Sequence, residues 1–226
     1  MCMERWSAVD RYITDLLVAE DPALEAAVAA SAAAGLPPIA VSPPQGKLLQ
    51  LLAQMHGAHT ILELGTLGGY STIWLARALP PDGRLVTMEA DGKYAEVARA
   101  NIARAGLGGI VELRVGPALD TLPELAAEGP DPFDLIFIDA DKKSTPDYFT
   151  WALRLSRRGS LIITDNVIRG GALIDADSDD PGVQGMRRFH ALLADDRAGA
   201  QRVSATTIQT VGSKGYDGFT LALVLA

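Results

Sequence analysis

The stretch ILELGTLGGYS, residues 61–71, passes from an apolar segment through three glycines into a run of helix formers. It predicts a strand that ends in a tight turn and feeds a helix, with Gly65, Gly68 and Gly69 where the backbone must bend and come close to a ligand. Glycine-rich turns also serve plain packing, so the ligand has to be argued from the residues around them. From residue 60 onward the alternation repeats. Apolar or β-branched runs at 60–64, 84–89, 111–115, 133–139 and 159–165 are separated by helical segments at 70–79, 91–105, 117–128 and 145–157. That order builds βαβ units and a parallel sheet. The closing residues depart from it, because VSATTIQTV and GFTLALVLA are separated only by GSKGYD, too short for a helical crossover, and must pair as an antiparallel hairpin. The expected fold is α/β, a seven-stranded mixed sheet of five parallel strands plus a C-terminal antiparallel hairpin, with helices on both faces.

Ahead of the first strand, helical segments at 3–19, 22–34 and 44–56 are divided by GLPP and SPP. They read as an N-terminal helical cap, residues 1–57, within one domain that spans 1–226. A chain of 226 residues can bury about 70% of the surface its unfolded form exposes, so a core needs no staples. Hydrophobic residues at 48% and charged residues at 21% are ordinary for a globular chain, and no apolar run approaches the roughly 20 residues that span a bilayer. No membrane partner is expected. The start MCMERWSAVDRY has no basic-then-apolar export pattern, which makes the cytoplasm the expected location. Cys2, the single cysteine, lies at the terminus and can form neither an internal disulfide nor a thiolate cluster. A net charge of −8 with scattered basic residues is the reverse of a nucleic-acid footprint and favours small-molecule chemistry.

The turn discriminates between cofactors. A dinucleotide fingerprint wants Gly-x-Gly-x-x-Gly, whereas Leu67 stands two after Gly65 and Glu63 lies on the strand just before the turn. A carboxylate there is awkward beside a pyrophosphate but suits an ammonium group in a partly buried crevice. Glu89 ends the next strand, where an acid can accept hydrogen bonds from both ribose hydroxyls. Glycine turn, amino-acid tail and ribose acid together describe S-adenosylmethionine.

A second constellation lies at the ends of the fourth and fifth strands, FIDADKK and TDN. Adjacent strand ends open onto one crevice, so Asp139, Asp165 and Asn166 can converge. Each alone reads better as a strand-end or turn residue than as a ligand, and the case rests on their falling together on neighbouring strand ends. Together, three oxygen ligands without His or Cys suit a hard divalent cation, Mg²⁺ or another such as Mn²⁺ or Ca²⁺. Lys142 is three residues past Asp139, close enough to reach the same site, where neighbouring positive charge favours its neutral, basic form. The plainer reading of Lys142, a solvated lysine, stays open and applies at least equally well to its neighbour Lys143. DADSDD at 175–180 is no EF-hand, since Asp180 and Met186 stand where Gly and Glu are required; it reads as a solvated, mobile loop over the crevice. His56, His59 and His190 lack zinc-ligand spacing. Trp74 and Trp151 read as core, and Trp6 as a contact for a partner subunit or an aromatic substrate.

With LELGTLGGYS, VTMEAD, VGPALDTLP, FIDADK, ITDN and TIQTVGSKGYDGFTLA in this order, residues 40–226 resemble the metal-dependent class I O-methyltransferases of the catechol and caffeoyl-CoA type. The resemblance implies a Rossmann-like methyltransferase fold and a methyl transfer from S-adenosylmethionine to one hydroxyl of a catechol-like, phenolic small molecule. It implies cofactor contacts at Val41, Glu63, Gly65, Thr66, Ser71, Glu89, Ala118, Asp139 and Asp141, metal ligands at Asp139, Asp165 and Asn166, Lys142 as the base, and a homodimer. No third acid aligns in VIRGGALIDADSDDPGVQGM, and the substrate-facing loops stay unassigned. Three other readings compete: a metal-independent methyltransferase, a nicotinamide-dependent oxidoreductase, disfavoured by Leu67 and Glu63, and a silent cofactor-binding protein.

Overall fold

The structure, a computed structural model, describes residues 2–226; the Cys2 side chain, and with it the reading of its thiol, lies outside the described residues. Seven strands form one sheet in the order β3-β2-β1-β4-β5-β7-β6. β1 (Thr60–Leu64), β2 (Arg84–Glu89), β3 (Val111–Val115), β4 (Phe133–Ile138) and β5 (Ser156–Asp165) run parallel, and β7 (Gly215–Val224) is antiparallel to both β5 and β6 (Val203–Gly212). The expected mixed sheet is therefore present. The centre of the sheet is covered on both faces, which is why all six residues of β4 are buried and its sequence is nearly unbroken apolar. Its exception, Asp134, is satisfied by the amides of His59 and Thr60 at 2.8 and 3.1 Å and by the Arg157 guanidinium.

Helices α4 (Tyr70–Ala76), α5 (Gly92–Arg104), α6 (Ala118–Ala127) and α7 (Thr145–Arg154) fill the crossovers, and α8 (Pro181–Ala198) precedes the hairpin. Period-two alternation splits the core between the faces. Leu62, Leu64 and Ile136 face a cluster with Leu122, Phe149, Met186 and Phe189, whereas Ile61, Leu135 and Phe137 face one with Leu24, Leu49, Ile73 and Trp74. Trp74 is core, as expected. Trp151 is only partly buried, and the Arg154 guanidinium lies 4.8 Å from its ring centroid.

The N-terminal helices α1 (Cys2–Leu17), α2 (Pro22–Ala33) and α3 (Pro43–His56) match the expected segments and pack onto the sheet's helices and the hairpin. Asp21 caps α2 and pairs with Arg77 beyond α4; Asp10 on α1 accepts from Ser213 N in the hairpin turn at 2.7 Å. No helix among the described residues is long and apolar enough to cross a membrane.

Two expectations are corrected. α7 stops at Arg154 rather than 157, and β5 starts at Ser156 rather than 159, because RRGS bulges out of the ladder: pairing steps from Phe133–Ser156 to Leu135–Leu161, with Gly159 at φ 94 and Ser160 Oγ donating to Phe133 O at 2.7 Å. The hairpin connection is Ser213–Lys214 rather than the six residues 212–217. Extending the ladder to Gly212–Gly215 pairs backbone groups that a longer loop would leave to water.

Candidate active site

The C-terminal ends of β1, β2, β4 and β5 gather most of the candidate residues. Gly65 follows β1 at φ 97, and a Cβ there would fall 2.3 Å from the carbonyl oxygen of Asp139; only glycine lets the turn lie against the end of β4. Leu67 is also left-handed (φ 51), and Gly69 at φ 81 starts α4 with no side-chain cap. Two turn amides already have a partner: Thr66 N and Leu67 N donate to Glu89 Oε2 at 3.3 and 2.7 Å, while Oε1 accepts from Asp91 N at 3.0 Å.

Glu63 was expected in a partly buried crevice. It is instead fully buried, on the side of β1 that faces α4, and its carboxylate accepts from Ser71 Oγ (2.6 Å), Thr72 Oγ1 (2.5 Å) and Thr87 Oγ1 (2.7 Å). Thr66 Oγ1 completes the network, 2.6 Å from Thr87 Oγ1. Desolvation pushes the Glu63 carboxyl up to about 7; the three hydroxyls pull the other way, and the charge of Asp139 adds to the rise.

Asp139 and Asp165 end adjacent strands in register, since Ile138 pairs with Thr164. Asp165 is 4% exposed and accepts from Gln45 Nε2 at 2.5 Å on Oδ2 and from Asn166 N at 2.8 Å on Oδ1. Burial, then the facing Asp139 charge, raise its carboxyl to about 7, against the opposing pull of Lys142 and the two hydrogen bonds. Asn166 turns the chain out of β5 at φ 54, a conformation Asn tolerates. Lys142 Nζ donates to Asp139 Oδ1 at 2.5 Å. Its backbone is held from above, where Gly185 of α8 packs so tightly that a Cβ would fall 2.1 Å from the Lys142 carbonyl oxygen. Among the described residues no group of three or more His, Cys, Asp or Glu side chains could hold a metal ion; this cluster offers two carboxylates and one amide.

The remaining candidates are more dispersed. Asp141 caps the short 3-10 turn Lys142–Ser144 by accepting from Ser144 N at 3.1 Å, and also accepts from Tyr148 OH; burial, then this carboxylate, raise the Tyr148 phenol above its ordinary value. Ala118 begins α6, two residues after Gly116, whose amide donates to Glu89 O at 2.9 Å. Val41 is buried in the apolar cluster that contains Leu49 and Trp74. Lys143 is exposed. His190 bonds Met186 O and Thr207 Oγ1 at 2.9 and 3.1 Å, a structural arrangement.

Sequence reasoning missed two residues here. Gln45 stands in an ordinary helix start, Ser42-Pro43-Pro44, and nothing local marks its amide as the partner of an acid so far along the chain. Asp217, in the hairpin, accepts from Ile168 N and Arg169 N at 2.9 and 3.0 Å and so anchors the segment after Asn166. The DADSDD loop is largely exposed as expected, and Gln184 of α8 ties it down through the carbonyls of Ala176 and Ser178 at 3.0 and 2.9 Å.

A parallel sheet closed by an antiparallel hairpin, with a glycine turn and strand-end acids on one edge, defines a Rossmann-like methyltransferase. The family model for O-methyltransferase matches residues 15–224. A catechol O-methyltransferase of Niastella koreensis is 58% identical over 219 residues, covering 97% of each chain. Among solved structures, a Bacillus cereus O-methyltransferase in complex with SAH superposes with a TM-score of 0.95 at 58% identity over 98% of this chain and 99% of that one. The Streptomyces achromogenes O-methyltransferase TomG, involved in tomaymycin synthesis and solved with SAM, does so with a TM-score of 0.95 at 57% identity over the full length of both. The chain belongs to the O-methyltransferase family.

Proposed function

We propose that this protein transfers the methyl group of S-adenosylmethionine to one hydroxyl of a vicinal dihydroxy aromatic small molecule, and that it needs a divalent cation, Mg²⁺ first among the hard ions, to do so. The observation that carries the proposal is the facing pair Asp139 and Asp165 with Lys142 on Asp139, set against the Gly65 turn. The names of the similar proteins, a catechol O-methyltransferase and enzymes solved with SAH and SAM, support it.

The residues fit both groups. Gly65 lets the turn lie directly against the end of β4, beside Asp139, and Glu63 behind it is a buried acid with no cationic partner among its hydrogen bonds, suited to an ammonium. Glu89 lies at the end of β2, where its carboxylate would exchange turn amides for ribose hydroxyls. Thr66 and Ser71 share the hydroxyl network around Glu63, and Val41, Ala118 and Asp141 would supply further contacts to the cofactor. Asp139, Asp165 and Asn166 are an all-oxygen set, and the repulsion between the two carboxylates is what a divalent cation relieves. When bound, such a cation lowers the pKa of a coordinated hydroxyl, and the cofactor brings a methyl group on cationic sulfur. Lys142, whose Nζ donates to Asp139 and whose backbone lies under Gly185, would accept the hydroxyl proton at Nζ. The turn and strand ends orient the two reactants, and holding them in contact can supply roughly 7–11 kcal/mol of the barrier lowering. A homodimer fits the same reading, supported by the exposed apolar row Val9, Tyr12 and Leu16 on α1, and light scattering of the purified chain measures it.

The test is methyl transfer from labelled S-adenosylmethionine to a catechol panel with Mg²⁺ and with EDTA. Transfer abolished by EDTA and restored by Mg²⁺ is expected. EDTA-resistant transfer would remove the metal and leave a metal-independent methyltransferase; NADH binding detected by fluorescence would reopen the oxidoreductase reading.

A further inference from the structure

Each oxygen of the buried Asp165 carboxylate has one N–H donor. The Oδ1 donor is the amide of the next residue, Asn166; the Oδ2 donor is the side chain of Gln45, which comes from the N-terminal helices 120 residues earlier. Gln45 is held in place by its surroundings. Ser42 caps α3 by accepting from Gln45 N at 3.4 Å, and Pro43 and Pro44 restrict the first turn. Gly46 brings that turn so close to α4 that a Cβ would fall 2.4 Å from the Trp74 indole. The space beside Gln45 is lined by apolar side chains, Leu49, Phe137, Ile163 and Phe219 among them, so its amide meets Asp165 without a competing polar group in that lining.

We infer that Gln45 is a positioning residue for divalent-cation binding: by holding Oδ2 of Asp165 from α3, it orients the carboxylate before a cation arrives. The inference rests on the metal-dependent reading above. A ligand whose orientation is set by an outer hydrogen bond binds metal more tightly than one that must be ordered on binding, by about 10- to 100-fold in known sites. It also makes cation affinity depend on the N-terminal helices, which contribute no ligand of their own to the cluster.

Gln45→Met tests this, because methionine keeps the length and helix preference of glutamine and cannot donate. Mn²⁺ binding to the full-length protein is followed by the loss of the free-ion electron paramagnetic signal, with S-adenosylhomocysteine affinity and the thermal midpoint in EDTA measured alongside. The expected result is Mn²⁺ affinity weakened about 10- to 100-fold, with the other two quantities unchanged. Gln50→Met, on the same helix and bonded to Lys47 Nζ at 2.9 Å, is the control and should match the wild type. Equal Mn²⁺ affinity in wild type and Gln45→Met overturns the inference while leaving the metal reading intact. A loss shared equally by Mn²⁺ affinity, S-adenosylhomocysteine affinity and thermal midpoint overturns it too, since that is the mark of a merely structural side chain. Failure of the wild type to bind Mn²⁺ removes the metal reading and the inference together.

Discussion

Glu63 and Asp165 are both buried acids with carboxyl groups raised to about 7, and they are held in opposite ways. Glu63 sits among three hydroxyl donors on α4 and β2, each 2.5 to 2.7 Å away, with no cation among them. Asp165 has one amide on each oxygen and a second carboxylate opposite it, so its environment is poorer in donors and richer in like charge. A buried acid tied to neutral hydroxyls is held by hydrogen bonds alone. A buried acid facing another acid is a site short of positive charge, and Lys142 supplies only part of it.

That contrast can be broken at three points. The largest effect is expected at Lys142→Ala, which removes the proton acceptor and should lower kcat by about 10²- to 10⁴-fold, with S-adenosylmethionine affinity nearly unchanged in a calorimetric titration. Equal turnover would take the lysine out of the mechanism. Next, Asp165→Asn should weaken Mn²⁺ binding at least about 10²-fold, more than loss of an outer hydrogen bond does, whereas Glu63→Gln should leave Mn²⁺ binding close to wild type; equal sensitivity of the two would erase the distinction between the sites. The smallest effect is on stability. The folded-state carboxyl of Glu63 is raised from 4.5 to about 7, so its contribution is full below about pH 4.5 and is lost as pH rises through 7. Relative to Glu63→Gln, the ligand-free wild type should lose roughly 3 kcal/mol of unfolding free energy between about pH 5 and pH 8. Parallel urea-unfolding curves across that range would show instead that the hydroxyl network holds the charged form without cost.

Much of the sheet was legible in the residues. Five runs of apolar or β-branched residues became the five parallel strands, and the short gap between the last two runs required an antiparallel hairpin. The strand ends Glu89, Asp139 and Asp165 were legible as well, because a polar residue that closes an apolar run has nowhere to go but the edge of the sheet. The misplaced boundaries have local causes that a run of residue types hides. RRGS looks like a helix end followed by a turn, but its polar groups are satisfied by a bulge against Phe133, so β5 starts earlier. GSKGYD looks like a loop because β6 and β7 are polar at that end, yet both strands continue through it to a two-residue turn. The full burial of Glu63 was not legible either. One of its hydroxyl partners, Thr87, lies on a different strand, and only the β1–β2 register brings the two residues opposite each other.

The amino-acid sequence by itself determined the order of strands and helices, the antiparallel close of the sheet and the residues that stand at its C-terminal edge, because these follow from periodicity, turn residues and chain length, all of them local. Only the tertiary structure decided how each acid is partnered: hydroxyls around Glu63, turn amides on Glu89, Lys142 on Asp139, and Gln45 on Asp165 from the far end of the chain. Burial and the choice of hydrogen-bond partner are set by contacts between segments distant in sequence, and such contacts exist only once the helices have packed on the sheet.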